Sequence, residues 1–112
     1  EMITQNLPFV NKNRTMKEVV LKMTESRLGL ALIGNEEKLE GIITDGDLRR
    51  SLLMSDDFTK IEIKDILNKS PMTAYENDNL QVAHERMKEA RLQSLVVRNN
   101  DEKIVGVIQI FK

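Results

Sequence analysis

Thr44 and Asp47 lie three residues apart in the stretch "GIITDGDLRR" (residues 41–50), where an apolar run gives way to charged residues. A hydroxyl can donate a hydrogen bond to a phosphate oxygen, whereas an ionised carboxylate only accepts, which suits the two hydroxyls of a ribose. Gly46 lies between them and lets a ligand approach the backbone. This spacing predicts a site that binds sugar hydroxyls and phosphate.

The neighbouring charges fit the same chemistry. Arg49 and Arg50 follow within one helical turn, and a guanidinium can pair with phosphate or with a sugar acid. A helix that starts here would also direct unpaired N–H groups at an anion. A structural interpretation competes with this one, because Asp45 or Asp47 at a helix start can act only as a cap and a partner of the helix dipole. Both interpretations stay open on these residues alone.

The composition argues against other kinds of site. The 112 residues carry a formal charge of −1, four aromatic side chains and no cysteine. These values disfavour nucleic-acid binding, disulfides and cysteine-based zinc sites. No apolar run is long enough to span a bilayer, so we expect no membrane partner and a cytoplasmic location. His84 is the only histidine, and no nucleophile–base set or phosphate-binding loop can be assembled, so we expect no metal, no cofactor and no catalysis by this chain.

An internal repeat organises the chain. Comparison at an offset of 64 residues, and of 65 after the second hairpin loop, gives ten identities between residues 11 and 43 and their counterparts, where chance gives about two or three. The pairs are Asn13/Asn77, Met23/Met87, Glu25/Glu89, Arg27/Arg91, Leu28/Leu92, Asn35/Asn99, Glu37/Glu102, Lys38/Lys103, Gly41/Gly106 and Ile43/Ile108. Two copies of one unit of about fifty residues are therefore predicted.

Each copy has the pattern of a short strand, an amphipathic helix and a two-stranded hairpin. Thr15 and Asn79 are the predicted caps of the two helices. The order β-α-β-β-α, twice, predicts an α+β fold with pseudo-twofold symmetry. We expect a first repeat at 1–54, a polar linker at 55–62 and a second repeat at 63–112 that is truncated at its last helix.

This pattern resembles the tandem CBS domain, through the repeat and the motif Gly-apolar-apolar-Thr-x-x-Asp at residues 41–47. The extension "TDGDLRRSLL" is similar to the C-terminal CBS pair of bacterial arabinose-5-phosphate isomerases, which act in Kdo, lipopolysaccharide and capsule synthesis. The resemblance implies a regulatory module that binds a nucleotide or sugar nucleotide, preceded by a separate sugar-isomerase domain that carries the catalysis. CBS pairs fused to sugar nucleotidyltransferases show similar "TDGD" stretches and are the alternative parent.

The resemblance also implies where a ligand would bind. In CBS pairs a pocket joins the Thr-x-x-Asp of one copy to the first strand of the other, which makes Thr73 a partner for Asp47. In the second copy Thr44 corresponds to Gln109 and Asp47 to Lys112, so that site is expected to be degraded. The expected ligands are AMP, ATP or a CMP-linked sugar. CBS pairs also associate as flat dimers through their helices, so the alternative function is mainly dimerisation of the parent enzyme.

Overall fold

The computed structural model describes residues 2–110 and confirms the predicted α+β fold. Its elements follow the order expected for two similar repeats. The strands are β1 (Met2–Ile3), β2 (Phe9–Val10), β3 (Leu30–Gly34), β4 (Leu39–Thr44), β5 (Thr73–Tyr75), β6 (Ser94–Arg98) and β7 (Ile104–Gln109). The helices are α1 (Met16–Ser26), α2 (Asp45–Ser51), α3 (Ile63–Ile66) and α4 (Leu80–Glu89), with a short 3₁₀ turn at Phe58–Lys60.

Two sheets pack face to face between layers of helices. One sheet has the strand order β2-β3-β4 and the other β1-β7-β6-β5, each with one parallel pair and one antiparallel hairpin. Because side chains alternate along a strand, Leu30 and Leu32 face the second sheet, while Ala31 and Ile33 face α1. The core therefore has a central apolar layer between the sheets and an outer layer under the helices of each repeat.

The helices begin and end in the same way in both repeats. The Thr15 hydroxyl accepts from the N–H of Glu18 at the start of α1, and the Asn79 side chain accepts from two N–H groups at the start of α4, as the sequence predicts. Past the C-terminal ends of these helices, Arg27 and Arg91 both adopt a left-handed conformation with φ of 58°. Their equivalence confirms the 64-residue offset at the level of the backbone.

Residues near the start of each repeat pair with the sheet of the other repeat. β1 pairs antiparallel with β7, and Asn68 forms a two-hydrogen-bond bridge with Ile42 of β4, with both N···O distances 3.0 Å. Both contacts occur beside a glycine, Gly41 or Gly106, where an added Cβ would lie 2.3 Å from the Asn68 carbonyl oxygen or 2.7 Å from that of Ile3. The sequence did not predict this exchange of segments.

The polar segment at 55–62 is anchored rather than free. Ile61 is buried in the core under α1, and Phe58 packs against the same cluster. The short helix α3 follows this segment at the start of the second repeat. The expected truncation of the second repeat concerns Phe111 and Lys112, which lie outside the described residues. Within residues 2–110 no helix is long and apolar enough to cross a membrane.

Candidate functional site

A cleft of about 610 Å³ lies where the end of β4 and the start of α2 face the second repeat. This volume is within the range of small-molecule sites. The cleft is lined from the first repeat by Leu28, Gly29, Leu30, Ile42, Thr44, Asp45, Gly46, Asp47, Arg49 and Arg50, and beyond it by Asn68, Met72, Ala90, Arg91, Leu92, Gln93, Ser94 and Val96. The structure thus brings the sequence-predicted residues of "TDGDLRR" to one concave surface between the repeats.

Thr44 and Asp47 form a reciprocal capping box at the start of α2. The Thr44 hydroxyl accepts from the Asp47 N–H at 3.2 Å, and Asp47 Oδ2 accepts from the Thr44 N–H at 2.9 Å. This arrangement satisfies two backbone donors that a helix start otherwise leaves unpaired. The capping role is therefore confirmed, and the cap fixes both side chains on the wall of the cleft. The Thr44 hydroxyl hydrogen and the remaining lone pairs of Asp47 are not used by the cap.

Arg50 lies against the same carboxylate. Its Nη2 donates to Asp47 Oδ1 at 2.6 Å, while the Arg50 side chain is 70% exposed and that of Asp47 only 19%. The guanidinium lies beside Gly46, where an added Cβ would be 3.3 Å from Nη1. Asp45 is exposed at the first position of the helix, and its N–H donates to the Gly29 carbonyl at 3.1 Å.

The opposite wall is formed by the segment that joins α4 to β6 and by the start of β6, which the sequence did not predict as site residues. Ser94 on this wall donates its hydroxyl to the Leu28 carbonyl at 2.8 Å and so ties the two repeats together. The repeat alignment contained the signal for this wall, because Leu92 and Ser94 are the counterparts of Leu28 and Leu30 on the other side of the cleft.

Thr73, the predicted partner of Asp47, is a half-buried residue of β5. Thr73 is not among the described residues that line the cleft, whereas Met72, the residue just before β5, is one of them. Strand alternation explains this placement, because successive side chains point to opposite faces. The Thr73 carbonyl accepts from Arg86 Nη2 at 3.4 Å.

The second repeat differs at the equivalent position. Gln109, the counterpart of Thr44, directs its amide at the Arg27 carbonyl, with an Nε2···O distance of 3.4 Å. The N–H of Ile110 donates to the Gln93 carbonyl at 2.9 Å, as that of Asp45 does to Gly29. The backbone is therefore repeated while the polar side chains are not. Lys112, the counterpart of Asp47, lies outside the described residues.

The remaining ionisable groups of the described residues lack the geometry of a metal site. Within residues 2–110 no cluster of three or more His, Asp or Glu side chains has metal-binding geometry. Asp57 instead caps the 3₁₀ turn, and hydrogen bonds from the hydroxyl and N–H of Thr59 lower the pKa of its carboxyl. His84 lies on α4 and is partly buried.

Comparison with protein families identifies the repeats. The model of the CBS domain matches twice, at residues 1–54 and 63–110. The chain belongs to the CBS domain family. The CBS pair confirms the fold predicted from the internal repeat and from the Gly-apolar-apolar-Thr-x-x-Asp motif.

Curated relatives place this pair in a larger context. A probable arabinose 5-phosphate isomerase from Haemophilus influenzae is 34% identical over 97% of this chain and 33% of its own length. Arabinose 5-phosphate isomerase KpsF from Escherichia coli is 30% identical over 99% of this chain and 34% of its own length. The chain therefore spans about a third of the length of these relatives.

Solved CBS pairs share the fold at lower identity. A CBS domain protein from Pyrobaculum aerophilum, solved in complex with AMP, superposes with a TM-score of 0.80 at 24% identity, over 96% of this chain and 87% of that one. A CBS domain pair in complex with 5′-methylthioadenosine and S-adenosyl-L-methionine gives a TM-score of 0.79 at 21% identity, over 95% and 87% of the two chains.

Proposed function

We propose that this CBS pair is the regulatory module of a sugar-phosphate isomerase of the arabinose 5-phosphate type, and that it binds a nucleotide or sugar nucleotide in the cleft between its repeats. One observation carries the proposal. Thr44, Gly46, Asp47 and Arg50 converge on one side of a cleft of about 610 Å³ whose other side belongs to the second repeat. A ligand bound there contacts both repeats and responds to their relative position.

The side chains favour a ligand that contains ribose and phosphate. The Asp47 carboxylate accepts from the two ribose hydroxyls, and the Thr44 hydroxyl and Arg50 bind phosphate oxygens. The ligands of the two solved CBS pairs described above all contain an adenosine group, which supports the ribose part of this class, and AMP also carries a phosphate. AMP, ATP and a CMP-linked sugar acid share the ribose phosphate, so the base or the attached sugar selects among them. Asp45 and Thr73 complete the set of candidate ligand-binding residues.

Regulation requires a difference in affinity between two states of the parent enzyme. A ligand shifts activity only by as much as it prefers one state over the other. The isomerase relatives are about three times longer than this chain, and we place the catalytic site in the part of such a parent that the chain does not span. Their identities of 30–34% favour an isomerase over a sugar nucleotidyltransferase as the parent.

Isothermal titration of the chain with AMP, ATP, CMP and a CMP-linked sugar acid tests the binding function. At least one ligand is expected to bind, and Asp47→Ala is expected to weaken it at least tenfold, since a hydrogen bond to a charged group contributes about 1.5–3 kcal/mol. Absence of binding by all four ligands contradicts the proposal.

A second candidate function, self-association of the parent enzyme, is favoured by exposed apolar side chains after α2. Leu52, Leu53 and Met54 are 58%, 89% and 60% exposed, and Leu21 on α1 is 51% exposed. A monomer seldom exposes so contiguous an apolar group without a partner. We propose that these residues pack against a second copy in a flat dimer formed through the helices.

Sedimentation equilibrium distinguishes this function from ligand sensing. We expect a dimer without ligand for the wild type and a monomer for Leu53→Glu. Asn100→Glu makes the same charge change at an exposed hairpin turn and is the matched control, which should stay dimeric. A wild-type monomer at all concentrations tested contradicts the dimer.

A further inference from the structure

We propose that Arg50 selects ligands that carry both vicinal hydroxyls and phosphate, by exchanging its guanidinium from Asp47 to the ligand phosphate. This inference rests on the proposed nucleotide site and assigns one of its residues a specific role. In the structure Asp47 has both carboxylate oxygens partnered within the protein, Oδ2 by the Thr44 N–H at 2.9 Å and Oδ1 by Arg50 Nη2 at 2.6 Å. With Arg50 in place Oδ1 has one lone pair free, and release of Arg50 gives both of its lone pairs to the ligand hydroxyls.

The two contacts of Asp47 differ in how easily they are released. The bond to the Thr44 N–H is part of the capping box, so its loss would leave a backbone donor unpaired at the helix start. Arg50 is 70% exposed, and an ion pair with such exposure is held weakly because water competes for the guanidinium. The ligand therefore displaces Arg50 and leaves the cap intact.

The position of Arg50 allows it to remain in the cleft after it leaves Asp47. Its guanidinium lies beside Gly46, close enough that a Cβ there would be 3.3 Å from Nη1. Gly46 therefore leaves room for a planar fork that can turn from one acceptor to another. A guanidinium binds phosphate through two parallel hydrogen bonds. Its single exposed contact with a carboxylate is weaker than that, so phosphate is the preferred acceptor.

The charge balance of the cleft makes the exchange selective. Three arginines and two aspartates line it, namely Arg49, Arg50, Arg91, Asp45 and Asp47. A nucleoside displaces Arg50 from Asp47 but gives the guanidinium no new hydrogen-bond acceptor. Inorganic phosphate attracts Arg50 but leaves Asp47 without a donor. A nucleotide satisfies both groups, so its two parts bind with positive coupling.

Titration of the wild type and of Arg50→Gln with AMP and adenosine, and with CMP and cytidine, tests the exchange. Whichever of AMP and CMP binds the wild type is expected to bind Arg50→Gln about tenfold more weakly, because the phosphate loses a charged donor. The matching nucleoside is expected to bind up to about threefold more tightly, because Asp47 is already free of its partner. Changes of opposite sign in one variant are the signature of an exchange.

Two further variants isolate the role of Arg50. Arg49→Gln removes the same charge from the same cleft, and its effect on the ratio of nucleotide to nucleoside affinity should be smaller. Arg50→Lys keeps the charge without the fork and should retain an intermediate ratio. Parallel loss or parallel gain of both affinities in Arg50→Gln, or no change in either, overturns the exchange while leaving the nucleotide site in place. Failure of AMP, ATP, CMP and the CMP-linked sugar acid to bind the wild type overturns the proposed function itself.

Discussion

Gly41 in the first repeat and Gly106 in the second occupy equivalent positions, and a backbone carbonyl from the exchanged segment lies against each of them. Three residues after Gly41, however, Thr44 begins a capping box with Asp47, whereas its counterpart Gln109 directs its amide at the Arg27 carbonyl. The two repeats thus agree where their backbones meet and differ where side chains line a cleft.

This difference separates the residues of the motif that the fold requires from those that ligand binding would require. A glycine at the close approach serves the fold, because any larger residue would push the exchanged segment away. The polar residues that follow it serve the fold only in part, because the second repeat keeps its hairpin and its sheet pairing with a glutamine in place of Thr44. Residues that the fold does not demand in both repeats are the better candidates for ligand binding.

The largest predicted effect on stability comes from replacing the glycine that both repeats have where the exchanged segment approaches. Gly41→Ala places a Cβ 2.3 Å from the Asn68 carbonyl oxygen, which is backbone held by two hydrogen bonds, so the variant should lose about 3 kcal/mol of unfolding free energy. Gly106→Ala should lose less, because its 2.7 Å neighbour belongs to β1, a short edge strand that can shift. Urea unfolding of both variants measures the difference.

Gly46→Ala is the matched control for these two substitutions. The nearest atom to its Cβ would be 3.3 Å away, at the end of the flexible Arg50 side chain, and alanine favours a helix over glycine by about 1 kcal/mol. This variant should be as stable as the wild type or more so. A Gly41→Ala protein of wild-type stability would contradict the packing that we describe for the exchanged segments.

A smaller effect on stability, with a specific effect on binding, is predicted for the caps. Thr44→Ala and Thr15→Ala each remove a hydroxyl that accepts from a helix N–H, and each should cost about 1 kcal/mol in thermal unfolding. Only Thr44 lines the cleft, so only Thr44→Ala should weaken nucleotide binding measured by titration, by about tenfold. Equal loss of affinity in both variants would mean that binding follows stability rather than contact with the ligand.

The smallest effect concerns a contact that only the second repeat has. The Tyr75 hydroxyl donates to Glu102 at 2.6 Å, and this hydrogen bond to Glu102 raises the pKa of Tyr75 above its ordinary value near 10. Its contribution to stability is therefore present below pH about 10 and is lost as the pH rises through the raised folded value. The first repeat has Asn11 at the position of Tyr75.

Tyr75 is the only tyrosine and the chain has no tryptophan, so the ultraviolet absorbance of tyrosinate follows this one group. The folded wild type should titrate at a higher pH than the urea-unfolded chain, and Glu102→Ala should bring the two midpoints closer together. Coincident midpoints in the wild type would show that the hydrogen bond is not maintained in solution.

The comparison also shows which parts of the structure a sequence can predict. Periodicity, caps and the internal offset were enough for the hairpins and for α1, α2 and α4, because these depend on local pattern. The exchange of β1 and Asn68 was not predicted, since two or three residues of extended chain carry no periodicity of their own. The only trace of this exchange in the sequence was the matched pair Gly41 and Gly106. The repeat alignment contained this pair but did not indicate which segment lies against each glycine.

The candidate site divides in the same way. Thr44, Asp47 and Arg50 could be found because one short segment contains them all. The opposite wall, from Ala90 to Ser94, was not predicted, because its residues reach the cleft only through the packing of one sheet on the other and the repeat alignment was the only signal for them. Ligand binding by Thr73 stays a prediction: Met72, one position earlier, is the residue of that segment that lines the cleft, because strand alternation decides which of two neighbouring side chains faces it.

The most direct test of the account is an NMR titration of the isotopically labelled chain with the nucleotide that binds it. The account predicts saturable amide shift changes on both walls of the cleft, at residues 44–50 and 90–96, with one ligand per chain because only the first repeat carries Thr44 and Asp47. Two equivalent ligands per chain, or shift changes confined to surfaces outside the cleft, would contradict the claim that this asymmetric cleft is the binding site.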